Sequence, residues 1–202
     1  KDLDVRNHYD ALARFFRAYF YFEKIKRFGD VPWYSKPIGS ADPELKRPRD
    51  SREYVMQRMI EDIDFAILYL PTKHDLYRIT KWTALALKSR FCLFEGTFRK
   101  YHGIDTEEND WKYYLDLAAK ASEEFITNSG YGLYTTGGTQ TAYRDLFVSE
   151  DAQQLEVVLA RDYNKGLSVF HNSTFYSLNT SYGRPGLTRK ICLLYTSPSP
   201  RD

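Results

Sequence analysis

The sequence predicts a mainly α-helical protein, built as antiparallel helical hairpins of the tetratricopeptide type with long irregular loops. Three observations carry this. Apolar residues recur at three- and four-residue steps through successive segments. Helices two to four start near residues 51, 80 and 110, a spacing of about 30 residues, close to the 34-residue period of a repeating helix pair. Residue types that start or stop helices bound each segment. Each such helix buries one face against its neighbours.

The first helix is expected over 6–28. Phe15, Phe16 and the run Ala18–Phe22 are apolar or aromatic, which predicts burial nearly all round; an amphipathic surface helix would be polar over about half its circumference. Asp10, Arg14, Arg17 and Lys24 form one narrow polar stripe, with Asp10 and Arg14 in the favourable order for a pair four residues apart. Gly29 can end the helix in the left-handed conformation. Pro32 forbids continuation and holds Val31 extended. Pro32, Pro37, Pro43 and Pro48 make 30–50 a non-helical connector, which begins with Trp33 and Tyr34.

Asp50 is the expected N-cap of the second helix, with Glu53 closing a capping box. Val55, Met59, Ile63, Ala66, Ile67 and Leu70 form its apolar face, Pro71 ends it, and Asp62 and Asp64 are expected to be solvated beside that face. After a turn at 72–79, Thr80 caps the third helix, which runs to about His102 with Ala84, Leu87, Phe91, Phe94 and Phe98 buried. Ala84 and Ala86 leave room for a neighbouring helix. Gly96 costs about 1 kcal/mol relative to Ala inside this helix, and marks close helix packing. Gly103 stops it. Asn109 or Asp110 caps the fourth helix, whose face is Trp111, Tyr114, Leu115, Ala118, Ala121, Phe125 and Ile126; Gly130 and Gly132 end it.

The character then changes. Thr135–Thr139 reads as a loop, Tyr143–Phe147 as one helical turn, and Leu155–Ala160 has strand composition. Residues 163–186 are rich in Asn, Ser, Thr, Tyr and Gly, the kind of long polar loop that often carries function. The expected organisation is one partial domain over 1–191, with a helical scaffold at about 6–132 and a loop-rich part at 133–191. The string Cys192–Asp202, with its Ser-Pro-Ser-Pro, resembles translated sequencing-library adapter and is set apart as a non-native tail. Lys1 opens in mid-sequence, so the N-terminus reads as truncated.

Composition excludes several classes. The net charge of +2 gives no reason to expect nucleic acid, and no interleaved basic and aromatic patch is present. No run of about 18 apolar residues occurs. His8, His74, His102 and His171 are scattered without metal spacing, and Gly137-Gly138 lacks the Lys of a phosphate loop. No cofactor is expected. Glu95 is the most tempting carboxylate for glycoside chemistry, but on a helix it is expected to face solvent or pair with Arg99 four residues on. Catalysis is therefore not expected. The 17 Tyr, 13 Phe and 3 Trp suit either a ring-packed core or a surface that stacks on sugars. Cys92 is the one cysteine ahead of the tail, and is expected to be buried.

The stretch Arg17-Ala-Tyr-Phe-Tyr-Phe-Glu-Lys-Ile-Lys-Arg-Phe-Gly-Asp-Val-Pro32 resembles the signature helix of the SusD/RagB family. Further features follow in family order. They are the Pro-rich connector, the helix ending Leu70-Pro71, the segment Thr80–Gly96, the helix with Ala118-Ala119-Lys-Ala121 and its Tyr131–Tyr134 exit, Phe147 with Glu156-Val157-Val158, and Gly186–Lys190. Trp82 departs from the pattern, standing where a small residue is usual. The resemblance implies a SusD-like fold and a non-enzymatic lipoprotein on the surface of the outer membrane. Such a protein binds an oligosaccharide or other nutrient for a SusC-like TonB-dependent transporter. It is held by an N-terminal lipid anchor absent from this chain.

Outside the predicted helices, Trp33, Tyr34, Tyr176 and Tyr182 are the aromatic residues available for stacking on a sugar, and Asn172 and Asn179 could supply hydrogen bonds. For Trp33 and Tyr34 the favoured role is a structural one, pinning the connector to the core; for Tyr176 and Tyr182 neither role is favoured. A helical-repeat adaptor for protein partners is the competing reading; it would not need the aromatic, Asn-rich loop. The chain by itself is expected to be only marginally stable.

Overall fold

The computed structural model describes residues 2–104, 109–149, 151–179 and 181. Its helices are α1 (Asp2–Phe28), α2 (Arg52–Tyr69), α3 (Lys81–His102), α4 (Trp111–Asn128), α5 (Gly138–Val148) and α6 (Ser173–Leu178). Short 3-10 turns occupy Pro43–Lys46 and Lys165–Leu167. The chain divides into two units, Lys1–Ala160 and Arg161–Asp202.

In the first unit, side-chain pairs fix the helix directions. Arg52 at the start of α2 reaches the Ile25 carbonyl near the end of α1, while Arg17 pairs with Asp62 further along α2. Arg52 also meets Glu95 late in α3, whereas Asp64 meets Lys88 earlier in it. Lys81 at the start of α3 pairs with Glu124 near the end of α4, and Gly96 lies against Leu115. Successive helices are therefore antiparallel, as the spacing predicts. Their shared core holds Phe15, Phe22, Met56, Met59, Ile63 and Phe91, with Cys92 buried among them.

The helix termini follow the local chemistry closely. Gly29 and Gly103 both adopt left-handed backbone, with φ of 68° and 61°, a conformation that glycine takes without a Cβ penalty. Thr80 and Thr83 form a reciprocal capping box at the head of α3. Asp110 accepts from the Tyr113 N–H, at 2.9 Å, and is the cap of α4.

Four expectations are corrected. First, α1 begins at Asp2, and it is not buried all round. Ala11, Phe15, Ala18, Phe22 and Ile25 are buried on one face, while Tyr9, Phe16, Tyr19, Phe20 and Phe28 are exposed. Among the described elements, α2 and α3 cover only that face. Second, Ser51 caps α2, its Oγ accepting from the Tyr54 N–H at 3.3 Å. Asp50 instead accepts from the Trp33 N–H at 2.7 Å and pairs with Arg47. Third, Asp62 is 2% exposed because Arg17 of α1 covers it. Fourth, Leu155–Ala160 forms no strand, and among the described residues the single β-bridge joins Val31 and Asp50. The segment is tied by Gly132 N–H to the Leu155 carbonyl and Ala160 N–H to the Leu76 carbonyl. Its Val158 packs on a small cluster of Trp82, Leu85 and Ala121. Apolar composition there serves helix packing.

The predicted turn at Tyr143–Phe147 lies in the C-terminal half of the longer α5. In the second unit, the polar loop contains the turn at Lys165–Leu167 and the short α6.

Candidate functional site

The end of α1 and the connector build the first candidate region. Trp33 is 5% exposed. Its ring lies 4.2 Å from that of Tyr21, and the Arg17 guanidinium sits over it at 5.0 Å. Tyr21 secures the turn twice. Its hydroxyl donates to the Pro32 carbonyl at 3.1 Å and accepts from the Tyr34 N–H at 2.8 Å. Burial pushes the Tyr21 phenol upward, so it stays protonated and able to do both. Trp33 therefore pins the connector to the core.

Tyr34 is half-buried, and its hydroxyl donates to the Glu44 carbonyl at 2.9 Å. Its ring stands at the wall of a polar cleft of about 300 Å³ between α1 and the connector, lined also by Asp10, Arg14, Arg17 and Lys36. Arg17 holds Asp62 through two bonds, Nε–Oδ2 at 2.6 Å and Nη2–Oδ1 at 2.7 Å. This pairing raises the Arg17 pKa above its ordinary value, against the opposing effect of burial.

In the second unit, α6 brings together part of the other candidate set. Asn172 precedes the helix and Tyr176 lies within it, the Tyr176 N–H donating to the Asn172 carbonyl at 3.0 Å. Asn172 is exposed and the Tyr176 side chain is about half exposed. Asn179 follows the helix, its Oδ1 accepting from the Ser181 N–H at 2.9 Å. Tyr182 lies outside the described residues, as do Gly186–Lys190 and the tail Cys192–Asp202.

The carboxylate that drew attention in the sequence has a structural setting. Glu95 is fully buried between Arg52 and Arg99, with the Arg52 Nη2 at 2.6 Å and the Arg99 Nε at 2.8 Å. Arg99 also pairs with Glu53, which accepts from the Asn109 amide and the Tyr114 hydroxyl. Two carboxylates and two guanidiniums thus neutralise one another where α2, α3 and α4 meet. The i,i+4 spacing of Glu95 and Arg99 was the only local signal of this network; Arg52 and Glu53 come from a distant part of the sequence. Among the described residues, no group of three or more His, Cys, Asp or Glu could hold a metal ion, and no helix is long and apolar enough to cross a membrane.

The arrangement of α1, its Pro-bound exit and the following hairpins is shared with known proteins. A family model for SusD-like proteins, described as starch-binding and associating with the outer membrane, matches residues 1–93, which hold α1, α2 and half of α3. The backbone superposes on a SusD-like protein from Bacteroides fragilis with a TM-score of 0.61 and 26% identity, over 80% of this chain and 28% of that one. The chain is similar to SusD-like proteins in sequence over residues 1–93 and in backbone fold. A structure solved with xylogluco-oligosaccharide matches this chain with a TM-score of 0.62 and 25% identity, over 81% of this chain and 31% of the other. A SusD-like protein of Bacteroides ovatus is 28% identical over 153 residues, 76% of this chain. The SusD-like protein P25 of Formosa agariphila is 21% identical over 160 residues, 78% of this chain. This chain spans about a quarter of the length of these curated relatives, 26% of each.

Proposed function

We propose that this chain is the helical scaffold of a protein that binds an oligosaccharide or other nutrient at the cell surface. The complete protein then delivers its ligand to a TonB-dependent outer-membrane transporter. The observation that carries this reading is the shared fold, at 25% identity, with a structure solved with xylogluco-oligosaccharide. The setting of its carboxylates agrees with a binding role, since Glu95 and Asp62 are both buried and held by arginines. Residues 1–191 form part of one SusD-like domain in this reading, and Cys192–Asp202 is foreign to it. A lipid on an N-terminal Cys of the complete protein holds it on the outer membrane. Tyr34, Tyr176 and Tyr182 supply stacking surfaces and Asn172 and Asn179 supply polar contacts, while Trp33 anchors the connector in the core.

The test uses the complete gene, expressed without its lipid anchor. Affinity electrophoresis against a panel of soluble polysaccharides is expected to show retardation by one of them, lost in Tyr176→Ala. No retardation by any polysaccharide would overturn the glycan reading. Co-purification of a TonB-dependent barrel with the tagged protein from native membranes checks delivery, and its absence would remove that half.

A further inference from the structure

We propose that the cleft between α1 and the connector binds an acidic sugar residue through its anionic substituent. The proposal rests on the glycan-binding reading above and adds to it a charge preference and a location. Arg14, Arg17 and Lys36 line the cleft against one lining carboxylate, Asp10, with Tyr34 at its wall. Asp62 lies behind this lining and holds the Arg17 fork in place. Even with Asp62 counted, the cations exceed the carboxylates by one, so the local field favours an anion.

The two cations that remain available come from different elements. Arg14 gives its Nε to Asp10 at 3.2 Å, and its Nη1 stands 3.9 Å from Asp62. Its Nη2 has no protein partner among the described residues. The same guanidinium sits over Phe65, its central carbon 4.0 Å from the ring centroid. That contact helps to hold the group while Nη2 is left for an acceptor. The fork of a guanidinium matches a carboxylate or sulfate in geometry. Lys36, on the connector, is exposed and has no partner among the described residues. An anion seated between Arg14 and Lys36 would meet donors from both walls. Arg17 contributes charge there, because its donors already serve Asp62 and the Ser35 carbonyl. The cleft's about 300 Å³ is at the small end of ligand sites, which suits one or two sugar rings.

Isothermal titration of the complete protein tests this with three probes: an oligogalacturonide, a sulfated neutral oligosaccharide and xylogluco-oligosaccharide. Binding of at least one acidic probe is expected, weaker at high salt. Lys36→Gln is expected to weaken it about fivefold, as for loss of an exposed charge pair. Arg14→Gln should weaken it about tenfold or more, as for loss of a charged hydrogen bond. Which acidic probe binds tells carboxylate from sulfate. Lys36 is exposed and has no partner among the described residues, so its variant keeps the test sound if Arg14→Gln fails to fold. Acidic probes bound equally well by parent and Lys36→Gln, or only the neutral probe bound, would overturn the cleft and leave the glycan reading standing. No sugar bound by any probe, together with no retardation on the polysaccharide panel, would overturn both.

Discussion

Arg52, in the first turn of α2, closes on the fully buried Glu95 of α3, its Nη2 at 2.6 Å and its Nε at 3.0 Å from each carboxylate oxygen. Arg99 reaches the same carboxylate from the next turn of α3. Glu95→Ala leaves two guanidiniums facing each other without their shared counterion. Removing one partner of a buried ion pair costs about 3–5 kcal/mol. Urea unfolding of Glu95→Ala should show a loss of that size. A loss below about 1 kcal/mol would mean that water already solvates the arginines.

Gly96 is where α3 and α4 come closest. A Cβ at this position would meet the Leu115 Cδ2 at 2.7 Å and the Trp111 carbonyl oxygen at 3.0 Å. Helix propensity alone would favour Gly96→Ala by about 1 kcal/mol. Overpacking of this kind costs about 1–3 kcal/mol, and with backbone among the atoms met, the clash wins. Denaturant titration should find the variant less stable than the parent. The double variant with Leu115→Ala should show a favourable coupling, since it removes the side-chain part of the clash.

These two sites show how far the sequence could be read. Gly96 was legible because a glycine inside a helix stands out from its neighbours, and the Thr80 cap because its partner Thr83 lies within one turn. The head of α2 offered two capping residue types in Asp50-Ser51, and local chemistry could not choose between them. The choice follows from Asp50 being engaged by Trp33 and Arg47 of the connector. Asp62 looked solvated because its partner Arg17 lies 45 residues away, beyond any helical period. The aromatic content of α1 read as full burial, because composition does not report which side the neighbouring helices cover. The candidate ligand residues were chosen as aromatics outside helices. That criterion could not distinguish Trp33, committed to the core, from Tyr34, standing at a cleft. It also passed over Arg14 and Lys36, whose availability depends on which cations already have partners.

Tyr21→Phe isolates the lock between α1 and the connector. The ring stays against Trp33, but the hydroxyl that serves both the Pro32 carbonyl and the Tyr34 N–H is lost. Leaving a part-buried donor unmet costs about 1–3 kcal/mol. Hydrogen exchange should show the Tyr34 amide losing protection, while amides in the middle of α3 shift only with the global stability. Unchanged protection at Tyr34 would mean that water takes the place of the hydroxyl.

Cys92 gives a pH-dependent prediction. Its side chain is fully buried in the core, and burial pushes the thiol from 9.0 up to about 12, because the thiolate is disfavoured away from water. The folded chain should resist alkylation at pH 8, and the peptide holding Cys92 should react only after unfolding; peptide mapping with iodoacetamide reads this directly. The linkage has a definite sign. Between pH 9 and about 12 the unfolded chain has released this proton and the folded chain has kept it. Stability therefore falls as pH rises through that window, by up to about 1.4 kcal/mol per pH unit. Below pH 9 both states carry the proton and the contribution is complete. Other groups titrate in the same range, so the comparison is with Cys92→Ala. The parent should lose stability faster than that variant above pH 9, and parallel curves would show that the thiol is accessible in the folded protein.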